Sequence, residues 1–222
     1  MTDKIISSWE QNASEWIKVM QENSIASRKF TNAAIVEAIG KLNSNKLVDI
    51  GCGEGWLTRK IGGLGIEAVG LDAIEDLILE AQKQGSETYR VFTFEDIIAD
   101  KTIPGGLFDC AVFNFCLYLK DGLPILLQNT LGQLSSNGSI LIQTLHPYFL
   151  LQNEIPYVSQ WLNDSWKGLP GNFKDGHAWY ARTFEDWITV LGQLPNSKFF
   201  IEEVLNDEQK PVSLIIKIQK RT

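Results

Sequence analysis

Three glycines at alternating positions, Gly51, Gly53 and Gly55, form a segment suited to close contact with a ligand. They directly follow the short apolar run Lys46–Ile50, which predicts a strand, and a helical pattern begins at Trp56. Glycine has no Cβ, so it permits both a tight turn and a close approach of the backbone to a bound molecule. Between a strand and a helix, this spacing predicts a binding loop.

The acidic residue Asp72 follows this loop at the end of the next predicted strand. Asp72 lies nineteen positions after Gly53, at the end of the next apolar run, Ile66–Leu71. Because the carboxyl ends of parallel strands share one edge of a sheet, its carboxylate can accept both hydroxyls of a ribose bound at the loop. The combination predicts a nucleoside ligand.

The ligand of this loop could be the cofactor of a nicotinamide dehydrogenase or the cofactor of another class of enzyme. Dinucleotide-binding loops usually space their glycines as G-x-G-x-x-G, so that a helix N-terminus meets a pyrophosphate. Here Gly55 comes one residue early, and Asp49 places a carboxylate inside the preceding strand. That carboxylate suits an ammonium-bearing ligand or an anchor for the loop, and it is unhelpful beside a pyrophosphate, so the sequence favours a phosphate-free, cationic ligand.

Three motifs resemble those of class I S-adenosylmethionine-dependent methyltransferases: Val48–Gly55, Gly70–Asp72 and the fourth-strand motif Phe108–Asn114. The resemblance spans nearly the whole chain, and the chain is similar to the small-molecule subgroup that includes the ubiquinone-pathway O-methyltransferases. It implies a Rossmann-like α/β fold with a seven-stranded sheet, mostly parallel with an antiparallel last strand, and helices on both faces. It also implies S-adenosylmethionine as cofactor and methyl transfer to an oxygen, nitrogen or carbon nucleophile of a small molecule.

The resemblance implies contacts to the methionine part of the cofactor from residues that match these motifs. Asp49, Gly51 and Gly53 would contact this part directly, and Asn114–Phe115 would line it near the sulfonium. Arg28 resembles an arginine that pairs with the cofactor's carboxylate in some relatives, through a charge-assisted hydrogen bond.

The resemblance assigns the nucleoside part to a second group of residues. Asp72 would hold the ribose. Many relatives carry an aspartate for the adenine after the third strand, where this chain has Thr93, so Glu95 or a backbone amide around Phe94 would serve instead. The complete set of expected cofactor-binding residues is Arg28, Asp49, Gly51, Cys52, Gly53, Asp72, Ala73, Phe94, Glu95, Asn114 and Phe115.

Two histidines are the candidates for a catalytic base, which methyl transfer needs only if the acceptor must lose a proton. An imidazole, with a reference pKa of about 6.5, can accept one at physiological pH. His146 follows the predicted fifth strand, at the edge where open α/β sheets bind ligands, although a His-Pro turn that ends a strand is the alternative. His177 lies in an aromatic segment further along.

Residues 146–182 are rich in aromatic side chains but lack periodicity, so they form either a satellite core or the wall of an apolar pocket. Their position after the fifth strand favours a substrate cover. Residues 1–45 predict a helical cover in which Trp9 and Trp16 offer aromatic faces to a sulfonium, with ordinary helix packing as the alternative. The candidate substrate-binding residues are Tyr118, Tyr148, Trp179, Tyr180 and Arg182.

Length and composition limit the function further. The 222 residues suit one α/β domain spanning residues 1–222. With 27 acidic and 20 basic residues, the net charge of -7 makes nucleic acid a poor partner. No signal peptide or membrane-length apolar run is recognisable, so we expect a cytoplasmic protein that does not bind membranes. The three cysteines lack zinc-site spacing and predict reduced thiols, and we expect no metal.

The pattern of helix and strand signals leads to three further predictions. The second helix is expected to begin at Thr31 or Asn32, the third strand to span Tyr89–Phe94, and Thr183 to cap a late helix. A non-catalytic regulatory module that binds S-adenosylmethionine would carry the same cofactor residues, so it stays as the alternative to an enzyme.

Overall fold

The computed structural model describes residues 2–221, in which helices and strands alternate as expected of an α/β fold. The helices are α1 (Thr2–Gln21), α2 (Arg28–Gly40), α3 (Trp56–Gly62), α4 (Glu75–Gln84), α5 (Phe94–Ile98), α6 (Leu123–Gly132), α7 (Tyr148–Gln152) and α8 (Phe184–Gly192). The strands are β1 (Lys46–Ile50), β2 (Glu67–Asp72), β3 (Thr88–Val91), β4 (Phe108–Asn114), β5 (Leu134–Leu145), β6 (Gln160–Leu162), β7 (Trp179–Ala181), β8 (Ser197–Leu205) and β9 (Pro211–Lys220).

Seven strands form one sheet in the order β3-β2-β1-β4-β5-β9-β8, and β6 pairs with β7 in a separate hairpin. Strands β1 to β5 run parallel, whereas β9 lies antiparallel between β5 and β8. This arrangement confirms the predicted Rossmann-like sheet with its antiparallel last strand. The direction in which the chain adds strands reverses between β1 and β4, and ligands of open α/β sheets bind at the carboxyl ends of the strands beside such a switch point.

The alternation of side chains along β1 divides the core into two layers. Val48 and Ile50 pack into the layer that contains residues of α5, α6 and α8. Leu47 packs on the opposite face, with α2 and α3. Helices therefore cover both faces, as predicted, and Asp49 points to the face that α2 covers.

The third strand is shorter than predicted, because Thr93 caps a helix that the sequence analysis missed. The Thr93 side chain accepts a hydrogen bond from the Asp96 amide at 3.1 Å, and Oδ2 of Asp96 accepts one from the Thr93 amide at 2.9 Å. This capping box starts α5 at Phe94, so the prediction of a strand over Tyr89–Phe94 is wrong at its carboxyl end. Local capping outweighs the strand preference of the aromatic residues there.

Two other element predictions also need correction. Helix α2 begins at Arg28 and not at Thr31 or Asn32, because the Thr31 amide donates to the Ser27 carbonyl at 3.1 Å and Thr31 therefore lies inside the helix. The Thr31 carbonyl accepts a hydrogen bond from Gln143 at 3.0 Å. Residues 146–182 contain α7 and the β6–β7 hairpin, which their lack of periodicity concealed. Thr183 caps α8 as predicted. Across residues 2–221, no helix combines the length and apolar character needed to cross a membrane.

Candidate functional site

The loop after β1 is built on glycines in the left-handed conformation. Gly51 has φ +79° and Gly53 has φ +58°, a region that favours glycine. A Cβ on Gly51 would lie 2.7 Å from Cβ of Cys116, whereas the nearest atom to a Cβ on Gly53 is Nε1 of Trp16, 3.6 Å away. Gly51 is therefore required by packing under the loop, and Gly53 faces α1 across a less crowded space.

Asp72 connects this loop to the end of β2. Its Oδ2 accepts a hydrogen bond from the Gly53 amide at 2.8 Å, and its Oδ1 accepts one from the Ile74 amide at 2.9 Å. The side chain is half-buried, and burial raises the pKa of its carboxyl group against these two stabilising bonds. The structure thus brings Asp72 into direct contact with the glycine loop, with Ala73 next to it.

Asp49 is almost completely buried beneath the loop, with 1% of its surface exposed. Its Oδ2 accepts a hydrogen bond from the Thr58 hydroxyl at 2.8 Å. Its Oδ1 has no hydrogen-bond partner among the residues that the structure describes. Burial raises the pKa of Asp49 to about 7, and the nearby charges of Asp72 and Glu54 add to the effect. A cationic ligand would favour its ionised form.

Arg28 lies on the other side of the loop, between two indole rings. Its guanidinium carbon is 4.9 Å from the ring centre of Trp56 and 5.9 Å from that of Trp16. Within residues 2–221, its buried Nε has no acceptor. Burial lowers the pKa of Arg28, and the charge of Glu54 opposes this shift. The result is a partly desolvated cation with a free donor, a suitable partner for a carboxylate.

Asn114 and Phe115 form the matching turn at the end of β4, beside the switch point. Oδ1 of Asn114 is buried and lacks a donor in the described part of the chain. Phe115 has φ +54°, unusual for a residue with a bulky side chain. The Phe115 amide donates to the Gln143 carbonyl at 2.8 Å, and the Tyr118 hydroxyl donates to the Phe115 carbonyl at 2.8 Å. These bonds hold the turn in its strained conformation.

Glu54 is a buried acid of the loop that the sequence analysis did not single out. It is 3% exposed and accepts a hydrogen bond from the indole of Trp16 at 3.2 Å. Burial raises the pKa of Glu54, and the charge of Arg28 lowers it. Glu54 therefore ties α1 to the glycine loop and counters the charge of Arg28. Its type alone gives no signal for this role, because many surface loops contain glutamate.

The residues expected near an adenine lie around the start of α5. The Phe94 ring is 5.9 Å from that of Phe113 and reaches the neighbourhood of Gly51. Glu95 is exposed in the first turn of α5. The Thr93 hydroxyl bonds to Asp96 within the capping box. The structure thus places Phe94 beside the glycine loop and Glu95 at the surface.

The two histidines differ in the hydrogen bonds of their rings. Nδ1 of His146 accepts a bond from the Tyr148 amide at 3.0 Å, so its proton is on Nε2, which lies 2.7 Å from Oε1 of Glu203. Both nitrogens are engaged, and the ring faces β8. The structure places His146 against Glu203 of β8 and beside Tyr148, the candidate substrate residue that bonds to it.

His177 has one engaged nitrogen and one free nitrogen. Nδ1 lies 3.0 Å from the Ala178 carbonyl oxygen, which only accepts, so Nδ1 carries the proton. The buried Nε2 has no partner in the described chain. Burial of the ring, which is 4% exposed, lowers the pKa of His177 and keeps it neutral. Its ring centre is 4.9 Å from that of Tyr118.

An aromatic cluster formed by Trp9, Tyr118, Trp166 and His177 connects α1, the chain after β4 and the loop of the β6–β7 hairpin, residues 163–178. Ring centres are 4.6 Å apart for Trp9 and Trp166, 6.4 Å for Trp9 and Tyr118, and 6.1 Å for Trp166 and His177. Trp166 was not among the predicted site residues, because only the folded hairpin brings it to α1.

The other predicted substrate residues lie outside this cluster. Tyr180 and Arg182 contact the backbone beside it, whereas Tyr148 and Trp179 make their contacts around α7. Arg182 donates to the carbonyls of Leu119 and Lys120 at 2.7 and 2.8 Å and pairs with Asp186 at 3.1 Å. The amide of Tyr180 donates to the Tyr118 carbonyl at 3.1 Å. These bonds hold the segment that carries Tyr118. Tyr148 bonds to His146 through its amide, and the Trp179 ring packs against Phe149.

Hydrogen bonds fasten the hairpin loop to α1. Asn12 donates from Nδ2 to the Lys174 carbonyl at 2.7 Å and accepts from the Lys174 amide at 2.8 Å. The Ser8 hydroxyl donates to the Asp175 carbonyl at 2.8 Å and accepts from the Trp166 indole at 3.0 Å. Helix α1 and the hairpin loop therefore form a connected cover over the glycine loop and the turn after β4.

Comparison with known proteins finds a family model described as a methyltransferase domain, which matches residues 9–192. Among curated relatives, the mitochondrial ubiquinone biosynthesis O-methyltransferase of Bos taurus is 29% identical over 113 residues, covering 47% of this chain and 30% of that protein. The chain thus matches about a third of that relative's length. A protein of Haemophilus influenzae is 23% identical, with 92% of this chain and 87% of that protein covered.

Among solved structures, the fold is shared with the 1,6-didemethyltoxoflavin-N1-methyltransferase of Burkholderia thailandensis, crystallised with 1,6-didemethyltoxoflavin and S-adenosylhomocysteine. The TM-score is 0.69 at 14% identity, with 100% of this chain and 89% of that chain covered. An S-adenosylmethionine-dependent methyltransferase of Mesorhizobium loti gives a TM-score of 0.61 at 20% identity, with 83% and 96% covered. At these identities the likeness concerns the fold.

Proposed function

We propose, from the premise that this chain belongs to the methyltransferase-domain family, that it binds S-adenosylmethionine between the carboxyl ends of β1 and β4 and methylates a small molecule. The observation that carries the proposal is a set of buried, unpartnered polar atoms around this crevice. Among residues 2–221, Arg28 Nε, Asp49 Oδ1 and Asn114 Oδ1 lack partners, although buried polar atoms are nearly always hydrogen-bonded.

The chemistry of these atoms matches the charged end of the methyl donor. Asp49 and Asn114 offer acceptor oxygens to its ammonium group, and Arg28 offers a donor to its carboxylate. Two opposite charges at one end of a ligand require such opposite partners. A pyrophosphate would not fit this site, because the nearly buried carboxylate of Asp49 would repel it.

The nucleoside end would lie along Asp72, which already faces the glycine loop. The ribose hydroxyls would share Asp72 with the Gly53 and Ile74 amides, since a carboxylate has about four acceptor positions. Phe94 and the amides around it would face the adenine. The indoles of Trp9 and Trp16, which pack near Ala73, offer aromatic faces to the sulfonium.

The bound donor supplies an electrophilic methyl group on a sulfonium. The contribution of the protein is then alignment of the acceptor with that methyl and exclusion of water, effects that together account for many kcal/mol in enzymes. A small-molecule acceptor rather than nucleic acid agrees with the net charge of -7.

Substitution of Asp72 tests the cofactor site. Calorimetric titration with S-adenosylhomocysteine should give an affinity for Asp72→Ala that is lower by roughly tenfold or more, about 1.4 kcal/mol, because two ribose hydrogen bonds are lost. Asp72→Asn, which retains one acceptor oxygen, should lose less.

The matched control is Asp76→Ala, an exposed acid in the first turn of α4, which should bind like the wild type. An unchanged affinity of Asp72→Ala, or a wild type that binds NADH but not S-adenosylhomocysteine, would contradict the proposal.

A further inference from the structure

We propose that the methyl acceptor is an uncharged, planar aromatic molecule whose acidic O–H or ring N–H faces Nε2 of His177, with Trp9, Tyr118 and Trp166 around its ring. This inference rests on the proposed function, since it names the acceptor for that methyl transfer. It depends on three independent features: the position of the aromatic cluster, its lack of charge, and the free nitrogen of His177.

The position follows from the chemistry of the methyl donor. Its sulfur is bonded both to the ribose and to the methionine chain, so the acceptor must approach between the residues that hold these two parts. The aromatic cluster borders both. Trp9 packs with Ala73 and Ile74, directly after the ribose residue Asp72. Tyr118 is bonded to Phe115, directly after Asn114.

The lining of the cluster selects for a ring without charge. His177 makes edge contacts with Tyr118 and Trp166, and Trp9 meets the edge of Trp166 at 74°. Such edge-to-face contacts are the geometry in which aromatic rings attract one another, and the ring of an aromatic ligand can join the cluster through the same geometry. The charged residues next to the cluster in sequence include Glu10, Lys167 and Asp175, which are exposed, and Asp175 bonds to Gln11 at the surface.

The free nitrogen of His177 selects for an acceptor with a removable proton. Because Nδ1 donates to the Ala178 carbonyl, the lone pair of the imidazole is on Nε2. This atom is buried and unpartnered within the described residues, so an O–H or N–H donor of the acceptor would satisfy it. His146 has no such free lone pair, since its Nδ1 accepts from the Tyr148 amide and its Nε2 bonds to Glu203.

The step balances as a single displacement. The acceptor proton moves to Nε2 of His177, and the electron pair of the acceptor oxygen or nitrogen forms the bond to the methyl carbon. The carbon–sulfur bond breaks, and its electron pair stays on sulfur. The products are the methylated acceptor, S-adenosylhomocysteine and an imidazolium, which then releases its proton to water.

Binding is tested first, on the wild-type protein saturated with S-adenosylhomocysteine. Titration with phenol, 2-naphthol, benzotriazole, hexylamine and hexanoate is followed by calorimetry, and methyl transfer from S-adenosylmethionine to each is followed by mass spectrometry. We expect binding and methylation of the planar compounds only, with the phenols and benzotriazole separating O–H from N–H acceptors. Binding of S-adenosylhomocysteine with turnover confined to the aliphatic compounds, or with no planar compound bound, overturns the inference while leaving the proposed function intact.

The role of His177 is tested with acceptors that differ in acidity. In His177→Gln, methylation of 4-methoxyphenol should fall by about a hundredfold or more, the usual contribution of a positioned base. Methylation of 4-nitrophenol, which ionises near neutral pH without a base, should fall much less. An equal loss for both phenols, with unchanged affinity for S-adenosylhomocysteine, would mean that His177 only supports the structure and would overturn its assignment as the base.

The aromatic walls are tested with a matched pair of tryptophan variants. Trp9→Leu should weaken binding of 2-naphthol by about tenfold. Trp161→Leu removes an indole that packs on Tyr180 in the β6–β7 hairpin, outside the cluster, and should leave that binding unchanged. Equal effects of the two substitutions would overturn the placement of the acceptor.

Discussion

Asp49 is the residue whose charge state responds most directly to the proposed ligand. In the ligand-free protein it is buried, with one oxygen bonded to Thr58, and its pKa is raised to about 7. An ammonium group beside the free oxygen would favour the ionised carboxylate. Binding should therefore release protons from a population of protonated Asp49 near neutral pH.

The affinity for S-adenosylhomocysteine, which carries the same ammonium group, should rise as the pH increases through about 7, because ionised Asp49 is the binding form. Calorimetry in two buffers of different ionisation enthalpy measures both the affinity and the protons released. The Asp49→Asn variant has no titratable group at this position, so it should bind S-adenosylhomocysteine more weakly and its affinity should lose most of the pH dependence. A proton release equal to that of the wild type would assign the titration to another group.

The raised pKa of Asp49 has the opposite pH effect on the stability of the fold without ligand, which falls as the pH rises. Between the ordinary pKa of 3.8 and about 7, folded Asp49 retains a proton that the unfolded chain has lost. The contribution of Asp49 to the free energy of unfolding therefore decreases as the pH rises through that window.

For single residues, the sequence predicted the roles that depend on spacing along the chain. It did not predict the roles that depend on packing. Asp49 and Asp72 could be selected because each has a fixed offset from the glycine loop. The difference between His146 and His177 could not, because it depends on which backbone groups meet each ring. The importance of Glu54 and Trp166 likewise arises from contacts with α1, far away along the chain.

Helix α1 and the hairpin loop 163–178 are coupled by polar contacts as well as by aromatic packing, and the Asn12 pair is the most complete of the polar contacts. Asn12 is 2% exposed, and its amide group both donates to and accepts from the backbone of Lys174. An asparagine side chain that bonds to both the amide and the carbonyl of one residue pairs with the backbone as a neighbouring strand would. It fixes the hairpin loop relative to a helix more than 160 residues earlier.

Substitution Asn12→Leu should detach the hairpin loop without disturbing the sheet. We expect faster amide hydrogen exchange in residues 163–178, corresponding to about 1–3 kcal/mol lower local stability, because the amide and the carbonyl of Lys174 lose their partner. Exchange in β1, β4 and β5 should be unchanged. The control Gln11→Ala removes only an exposed bond to Asp175 and should have little effect. Unaltered exchange in Asn12→Leu would show that the Ser8 bonds and the aromatic packing hold the loop without Asn12.

The elements themselves were predictable to the extent that local pattern controls them. The amphipathic helix at the N-terminus and the cap at Thr183 follow from residues close in sequence. The start of α2 did not, because the expected caps Thr31 and Asn32 both lie inside the helix, where the Thr31 carbonyl bonds to Gln143. The strand order came from the family resemblance, since periodicity cannot specify which strands become neighbours.

At the scale of the whole molecule, the unpartnered polar atoms at the crevice predict a fold that gains stability from its ligand. At a concentration of S-adenosylhomocysteine one hundred times its Kd, linkage gives about 2.7 kcal/mol of additional stability. For a chain of this length, that corresponds to a rise in Tm of roughly 5–11 °C in calorimetry. Asp72→Ala, at the same ligand concentration, should lose about 1.4 kcal/mol of this gain. An equal rise in both proteins would place the bound ligand elsewhere.

The position of β9 between β5 and β8 also determines the order in which the sheet can be completed. Strand β8 precedes β9 along the chain, yet its partner throughout Ser197–Leu205 is β9. During synthesis, β8 therefore leaves the ribosome before the strand that joins it to the sheet exists, and the outer edge of β5 is open for the same interval. Unpaired strand edges favour association with other chains, so the nascent protein depends on rapid docking of β9, and its exposure to chaperones should be greatest just before Pro211–Lys220 emerges.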